Sequence, residues 1–242
     1  MSDIYLNIMR GNSESSKFVE YKVPFVKGMT VLDALLYIKE HIDPTLAVRY
    51  SCRMEICGSC AVMVNDKPHT ACSTQIETLK TDHIKVEPLS GFKWEKDLIV
   101  DFQPFYDKHE SVIPTLIRKD HVEGELIQSP KQLAKYRQFS LCIKCGVCLA
   151  ACPISNSDSN YLGPAALTAA YRFNIDSRDQ GKDKRLAIVS SPEGCWRCHF
   201  AAECSEACPK DVDPAYAIQK LKVESAVFEI KRLFTGKKKE EK

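Results

Sequence analysis

The 242-residue chain lacks most of what would place it in or across a membrane. Its opening, MSDIYLNIMRG, carries no apolar run of a signal peptide. Its longest apolar stretches, such as residues 31–38, are short and interrupted by Asp33, so no segment is expected to span a bilayer. The net charge is only +2, which gives no bulk attraction for nucleic acid. There is no G-x-G-x-x-G dinucleotide fingerprint and no recognisable flavin site. Disulfides belong to oxidising compartments and are not expected without a secretion signal; a reduced, cytoplasmic-side location is. What remains is a globular balance of 44% hydrophobic and 27% charged residues, enough for one large or two ordinary domains.

Cysteine, by contrast, is abundant. Twelve cysteines fall in three tight groups, at 52–72, 142–152 and 195–208, the pattern of metal sites rather than scattered bridges. The second group reads Cys142-x2-Cys145-x2-Cys148-x3-Cys152-Pro153, the run of bacterial two-cluster ferredoxins. A copy displaced by 56 residues reads Cys198, Ala201, Cys204, Cys208 and Pro209. In such runs the first three cysteines hold one cluster and the fourth reaches across to the other. Cys142, Cys145, Cys148 and Cys208 then make four thiolates, which suits 4Fe–4S. Cys152, Cys198 and Cys204 make three, and Ala201 offers no lone pair, so 3Fe–4S is expected there. Cys195 lies outside the register, since the same step back from it lands on Phe139. It reads as a buried free thiol; the alternative is that it completes the second cluster. Zinc fits less well, because its structural sites commonly take four ligands from paired C-x2-C units.

The first group reads Cys52-x4-Cys57-x2-Cys60, with Cys72 further on, the plant-type 2Fe–2S spacing. Gly58 leaves backbone room beside sulfur. Ser51, Arg53 and Ser59 are candidate donors to sulfur, and Arg49 and Arg53 add positive charge beside an anionic cluster.

Around these groups the pattern predicts strands over 4–9 and 18–26 joined by a Gly11-Asn12-Ser13 turn, then a helix near 31–40 opened by a Thr30–Asp33 capping box. Short strands are expected at 61–64 and 84–86. A domain boundary is placed near residue 105, giving domains 1–105 and 106–242. The second is expected to be mostly helical: helices near 131–141 and 164–175, a polar loop or helix end over 176–185, and a last helix from Pro214 capped by Asp213. Ile218, Leu221, Phe228 and Leu233 are among its apolar positions. The lysine- and glutamate-rich tail from Gly236 to Lys242 reads as a frayed, solubilising end.

Taken together, the three groups resemble those of the iron–sulfur subunits of succinate dehydrogenase and fumarate reductase. The resemblance extends to Ser51-Cys52-Arg53, Gly163-Pro164-Ala165-Ala166, Tyr171-Arg172-Phe173, Asp176-Ser177-Arg178-Asp179 and Cys208-Pro209-Lys210 with Val212-Asp213-Pro214. It implies an α+β chain, with an N-terminal β-grasp 2Fe–2S ferredoxin domain followed by an all-α helical ferredoxin domain. It implies a flavoprotein partner that interconverts succinate and fumarate on FAD, and a membrane anchor subunit or subunits at which quinone is reduced or oxidised. The chain itself would do no carbon chemistry and would lie peripherally on the cytoplasmic side of the cell membrane. The resemblance also puts quinone beside the 3Fe–4S centre, near Pro153, His199, Phe200, Gln219 and Lys222. The stretch Ile154-Ser155-Asn156-Ser157 lacks the tryptophan of ubiquinone-linked dehydrogenases, which makes the chain more similar to fumarate reductases and menaquinone-linked enzymes. A thiol-linked fumarate reductase subunit and a freestanding ferredoxin are the competing readings.

Overall fold

The computed structural model describes residues 3–235. In chain order its elements are β1 (Asp3–Gly11), β2 (Ser16–Pro24), α1 (Val31–His41), β3 (Ala61–Val64), β4 (Lys67–Thr70), β5 (His83–Glu87), β6 (Lys93–Lys96) and β7 (Ile99–Asp101). Helices α2 (Gln103–Ser111), α3 (Pro130–Tyr136), α4 (Val147–Ala151), α5 (Pro153–Ser157), α6 (Pro164–Asn174), α7 (Lys182–Val189), α8 (Glu203–Glu206) and α9 (Pro214–Thr235) follow. The strand-then-helix order gives the expected α+β class.

The chain forms two compact units. One runs up to Pro104 and also takes in Ile143–Ala151 and Ala207–Lys210; the other holds Phe105–Cys142, Cys152–Glu206 and the chain from Asp211. In the first, a five-stranded sheet has the order β2-β1-β5-β3-β4, with β1 and β5 parallel and the other pairs antiparallel. Ile4, Leu6 and Ile8 alternate inward along β1 and are fully buried. Helix α1 starts where expected. The Thr30 hydroxyl accepts from the Asp33 amide, and the Asp33 carboxylate accepts from the Thr30 amide at 3.0 Å. Its buried face, Val31, Leu32, Ala34, Leu35 and Ile38, joins the strand residues in one core. Each such aliphatic side chain contributes roughly 1.5–3 kcal/mol on burial.

Strand β4 is not among the expected strands, and its sequence, Lys67-Pro68-His69-Thr70, contains proline. It lies at the edge of the sheet, where proline's missing N–H leaves no ladder bond broken. Asn65 and Asp66, both at positive φ (47° and 66°), make the two-residue turn between β3 and β4. That hairpin matters for the site, since Cys60 precedes β3 and Cys72 follows β4.

In the helical unit, α6 buries Ala165, Ala166, Leu167, Thr168 and Ala170, and α9 buries Ala215, Ala217, Ile218 and Leu221. Asp213 accepts from the Tyr216 amide at 2.9 Å and caps α9 as expected. The segment expected as one helix over 131–141 is α3 followed by a 3-10 turn over Gln138–Leu141. The polar stretch to Arg185 is not a loop throughout: α7 begins at Lys182 and turns Arg185 inward. Leu233, one of the apolar positions expected on the last helix, is 82% exposed. The tail from Gly236 to Lys242 lies outside the described residues.

Arg185 is fully buried and Asp179 is 1% exposed at its side chain. The guanidinium donates to both Asp179 oxygens, at 2.7 and 2.8 Å, and to the carbonyls of Ile113 and Thr115. Asp179 also accepts from the Ile117 and Gly181 amides. Every charge in this pair is therefore answered, the condition under which a buried ion pair is tolerated.

Candidate iron–sulfur centres

The loop from Cys52 to Cys60 alternates backbone handedness. Arg53 and Glu55 sit at φ 58° and 56°, and Gly58 at 72°. The alternation turns successive amides inward as an anion-binding nest. The amides of Met54, Ile56 and Cys57 donate to Cys52 Sγ at 3.4, 3.3 and 3.3 Å. The Cys52 amide donates to Cys57 Sγ at 3.5 Å, and the Glu55 amide to Cys72 Sγ at 3.3 Å. Cys60 and Cys72 are brought to the loop by the β3–β4 hairpin, where the Ala71 amide donates to the Cys60 carbonyl. Cys57 is exposed, whereas Cys60 and Cys72 are buried. Burial pushes the Cys57 thiol up, but the Ser59 hydroxyl and the Cys52 and Ser59 amides outweigh it and bring it down to about 6. Burial pushes Cys60 up to about 12. Five amides aimed at sulfur are donors that only an anionic thiolate group uses fully, so the loop fits an iron–sulfur cluster.

Glu55 anchors this loop, a role its sequence position did not reveal. Its carboxylate accepts from Thr70 Oγ1 at 2.8 Å and from Ser73, and it pairs with Lys210 Nζ at 3.5 Å. Lys210 lies two residues past Cys208. Arg53 stacks over Tyr50, with its guanidinium carbon 5.3 Å from the ring centroid. Arg49 donates to the Val100 carbonyl and stacks over Phe102.

Cys145, Cys148 and Cys208 belong to the same compact unit as the loop, and Cys142 is joined to it through Ile143. Gly58 meets this group directly. A Cβ at Gly58 would lie 2.8 Å from Cys145 Cα and 2.9 Å from the Ile143 carbonyl oxygen. Gly58 is thus packed closely against Cys145 and Ile143 of the second cysteine group, leaving no room for a side chain at this position. Val147, Ala150 and Cys145 pack with Ala61, Leu89 and Val100 in a second small core.

Cys152, Cys198 and Cys204 share the helical unit and line one cavity. Pro153, His199 and Phe200 line it too, as does Ala201, the position that breaks the repeat. Burial pushes Cys204 up to about 12. Gln219 and Lys222, which alone would read as solvated surface, both turn to Cys198: Gln219 Nε2 lies 3.8 Å from its sulfur, and Lys222 Nζ donates to its carbonyl at 2.7 Å. The Phe200 amide donates to the same sulfur at 3.4 Å. The three-residue offset on α9 predicts a shared face; only the fold shows what that face meets. Cys195 is fully buried, and its thiol donates to Ser225 Oγ at 3.6 Å.

Among the described residues, which include all twelve cysteines, none is tied in a disulfide. Nor do three Cys, His, Asp or Glu side chains among them converge as ligands of a single ion. A cluster does not require that, because its cysteines are shared out among several irons. No described helix is long and apolar enough to cross a membrane.

Comparison with known proteins bears on the same regions. Residues 5–107 match the family described as a 2Fe-2S iron-sulfur cluster binding domain, and residues 138–212 the 4Fe-4S dicluster domain. The chain is 48% identical over 219 residues to a fumarate reductase iron-sulfur subunit of Haemophilus influenzae, covering 85% of each. It is 46% identical to the Escherichia coli fumarate reductase iron-sulfur subunit, covering 93% of this chain and 94% of that one. The Mycobacterium tuberculosis subunit is 42% identical over 96% of this chain and 97% of its own. Among solved structures, a chain of the Mycobacterium smegmatis Sdh1 complex in the apo form superposes with a TM-score of 0.87 at 25% identity, covering 93% of this chain and 96% of that one. With its cysteine loops and two cluster-binding domains, the chain belongs to the fumarate reductase/succinate dehydrogenase iron–sulfur subunit family and is a subunit of an oxidoreductase complex.

Proposed function

We propose that this chain conducts single electrons between the FAD of a flavoprotein subunit and a membrane quinone, menaquinone by the pattern around Cys152. The cluster ligands are Cys52, Cys57, Cys60 and Cys72 for 2Fe–2S; Cys142, Cys145, Cys148 and Cys208 for 4Fe–4S; and Cys152, Cys198 and Cys204 for 3Fe–4S. The clusters, when bound, supply one-electron redox steps. The protein holds them in two ligand-bearing domains, 1–105 and 106–242. Its amides offset negative charge on sulfur, and its packing keeps water from the buried thiolates. Membrane anchor subunits would hold the chain peripherally at the cytoplasmic face.

The observation that carries this reading is the cavity shared by Cys152, Cys198, Cys204 and Ala201. An alanine among three thiols leaves a three-ligand site, and His199 and Phe200, both exposed, border it. Ala201→Cys is expected to convert the 3Fe centre to 4Fe–4S. Redox-titrated electron paramagnetic resonance of the oxidised complex would then lose the 3Fe signal; its persistence at full intensity overturns the ligand set.

The quinone end rests on Pro153, His199, Phe200, Gln219 and Lys222, which gather around the Cys198 turn. His199→Ala is expected to slow quinone turnover about 10²-fold or more, the lower range for removing a proton-transferring group. Succinate-driven reduction of an artificial dye should stay near wild type. Equal losses in both assays would remove His199 from the quinone step.

A further inference from the structure

Tyr161 is 1% exposed, and it lines the same cavity as Cys152, Cys198 and Cys204. Its backbone is clamped. The Tyr161 amide donates to the Asp158 carbonyl, the Leu162 amide to the Glu193 carbonyl, and Lys108 Nζ to the Tyr161 carbonyl at 2.8 Å. The same ammonium donates to the Ser159 carbonyl at 2.5 Å. These bonds leave the ring little freedom to swing outward. Yet among the described residues none hydrogen-bonds the phenol hydroxyl. The hydroxyl is therefore free to donate to whatever fills the cavity that Tyr161 lines with the three cysteines. Three cysteines, Cys152, Cys198 and Cys204, share that cavity lining, and an ordinary phenol, with a pKa of about 10, is a donor at neutral pH.

We propose that the Tyr161 hydroxyl donates a hydrogen bond to the sulfur of the iron–sulfur centre held by Cys152, Cys198 and Cys204, and thereby raises that centre's reduction potential. The inference rests on the ligand assignment made above. A one-electron reduction adds one negative charge to the centre and breaks no bond; the phenol proton stays on Tyr161. The hydrogen bond strengthens as its acceptor gains charge, so it favours the reduced form. Hydrogen bonds to sulfur are an established lever on such potentials. Tyr161 is here a positioning residue with a redox effect: it neither ligates iron nor exchanges its proton.

The test uses the assembled complex and the Tyr161→Phe variant, which keeps the ring and removes only the donor. The 3Fe signal should be present in both. In the variant, the ratio of reduced to oxidised centre at any poised potential should fall about tenfold, which is ~59 mV for one electron. The 2Fe–2S midpoint should not move. Electron–nuclear double resonance of the wild-type 3Fe signal in H2O and D2O should show, beyond the exchangeable protons of the Phe200 amide and the Gln219 side chain at Cys198, one further exchangeable proton coupled to the centre and absent from the variant. A wild-type centre without that proton, or an unchanged midpoint in the variant, overturns the role of Tyr161 while leaving the ligand set standing. Absence of any 3Fe signal from the wild type overturns the ligand set and the proposal together. The wild-type proton measurement needs no variant, so a Tyr161→Phe chain that fails to assemble still leaves the proposal open to refutation.

Discussion

Arg185→Ala should be the most destabilising single change in the helical unit, costing about 3–5 kcal/mol at neutral pH, the range for removing one partner of a buried ion pair. The side chain is fully buried, and its loss strands the Asp179 carboxylate with only the Ile117 and Gly181 amides as donors. It also frees the Ile113 and Thr115 carbonyls. Denaturant unfolding followed by helical circular dichroism measures the loss. In the native chain burial pushes Asp179 up, but Arg185 and the two amides outweigh it and hold the carboxylate below its ordinary value. A carboxylate lowered on folding contributes stability that is fully present above its unfolded pKa of about 3.9 and is lost as pH falls through the folded value. In the variant the guanidinium is gone and burial dominates, raising Asp179 above its unfolded value, so the deficit should be largest near neutrality, begin to shrink as pH falls through that raised value, and shrink further below about pH 4 as the native chain loses its own contribution. A deficit independent of pH would assign the cost to lost packing instead. Asp179→Ala in the Arg185→Ala background should recover part of the loss, because it removes the uncompensated charge.

Gly58→Ala should deplete the clusters. Two costs coincide at this position. Its φ of 72° is left-handed, which costs an alanine roughly 1–2 kcal/mol. Its new methyl would meet backbone rather than a flexible side-chain end, with Cys145 Cα 2.8 Å and the Ile143 carbonyl oxygen 2.9 Å away. Overpacking of that kind costs about 1–3 kcal/mol more. Because the contact joins a predicted ligand loop of the first group to a predicted ligand of the second, the displacement should reach both. Iron and sulfide content of the purified complex should fall, along with the 2Fe–2S paramagnetic signal. Gly28→Ala is the control, since Gly28 has φ 83° and nothing within 4 Å of its would-be Cβ. It carries the backbone strain without the clash. If the two variants lose iron equally, the Gly58–Cys145 contact contributes nothing to cluster retention.

These two positions differ in how far the sequence announces them. Gly58 stands between Cys57 and Cys60, so its closeness to sulfur is legible from spacing. That it also abuts Cys145, far along the chain, is not. Arg185 and Asp179 sit in a stretch so polar that it reads as solvated. Polarity signals exposure only on average, and a guanidinium with four bonds to oxygen acceptors and a carboxylate with two amide donors can be buried at little net cost. The same limit hid Glu55, which reads as one more surface carboxylate until Thr70, Ser73 and Lys210 are seen around it.

By itself, the sequence determined what depends on short spacing. The nine-residue loop of the first cysteine group, the repeated ferredoxin run and its interruption at Ala201, the capping box that starts α1, and the Asp213–Pro214 start of α9 are all encoded within a few residues of where they act. Covalent geometry and local hydrogen bonds decide such features, so local pattern suffices to read them. Only the tertiary structure decided which of these features meet: Gly58 with Cys145, Gln219 and Lys222 with Cys198, Tyr161 with the cavity of Cys152, Cys198 and Cys204, and Cys195 with Ser225. Those contacts form when packed helices and loops close distant parts of the chain together, and single-residue types carry no signal of the partner they will find.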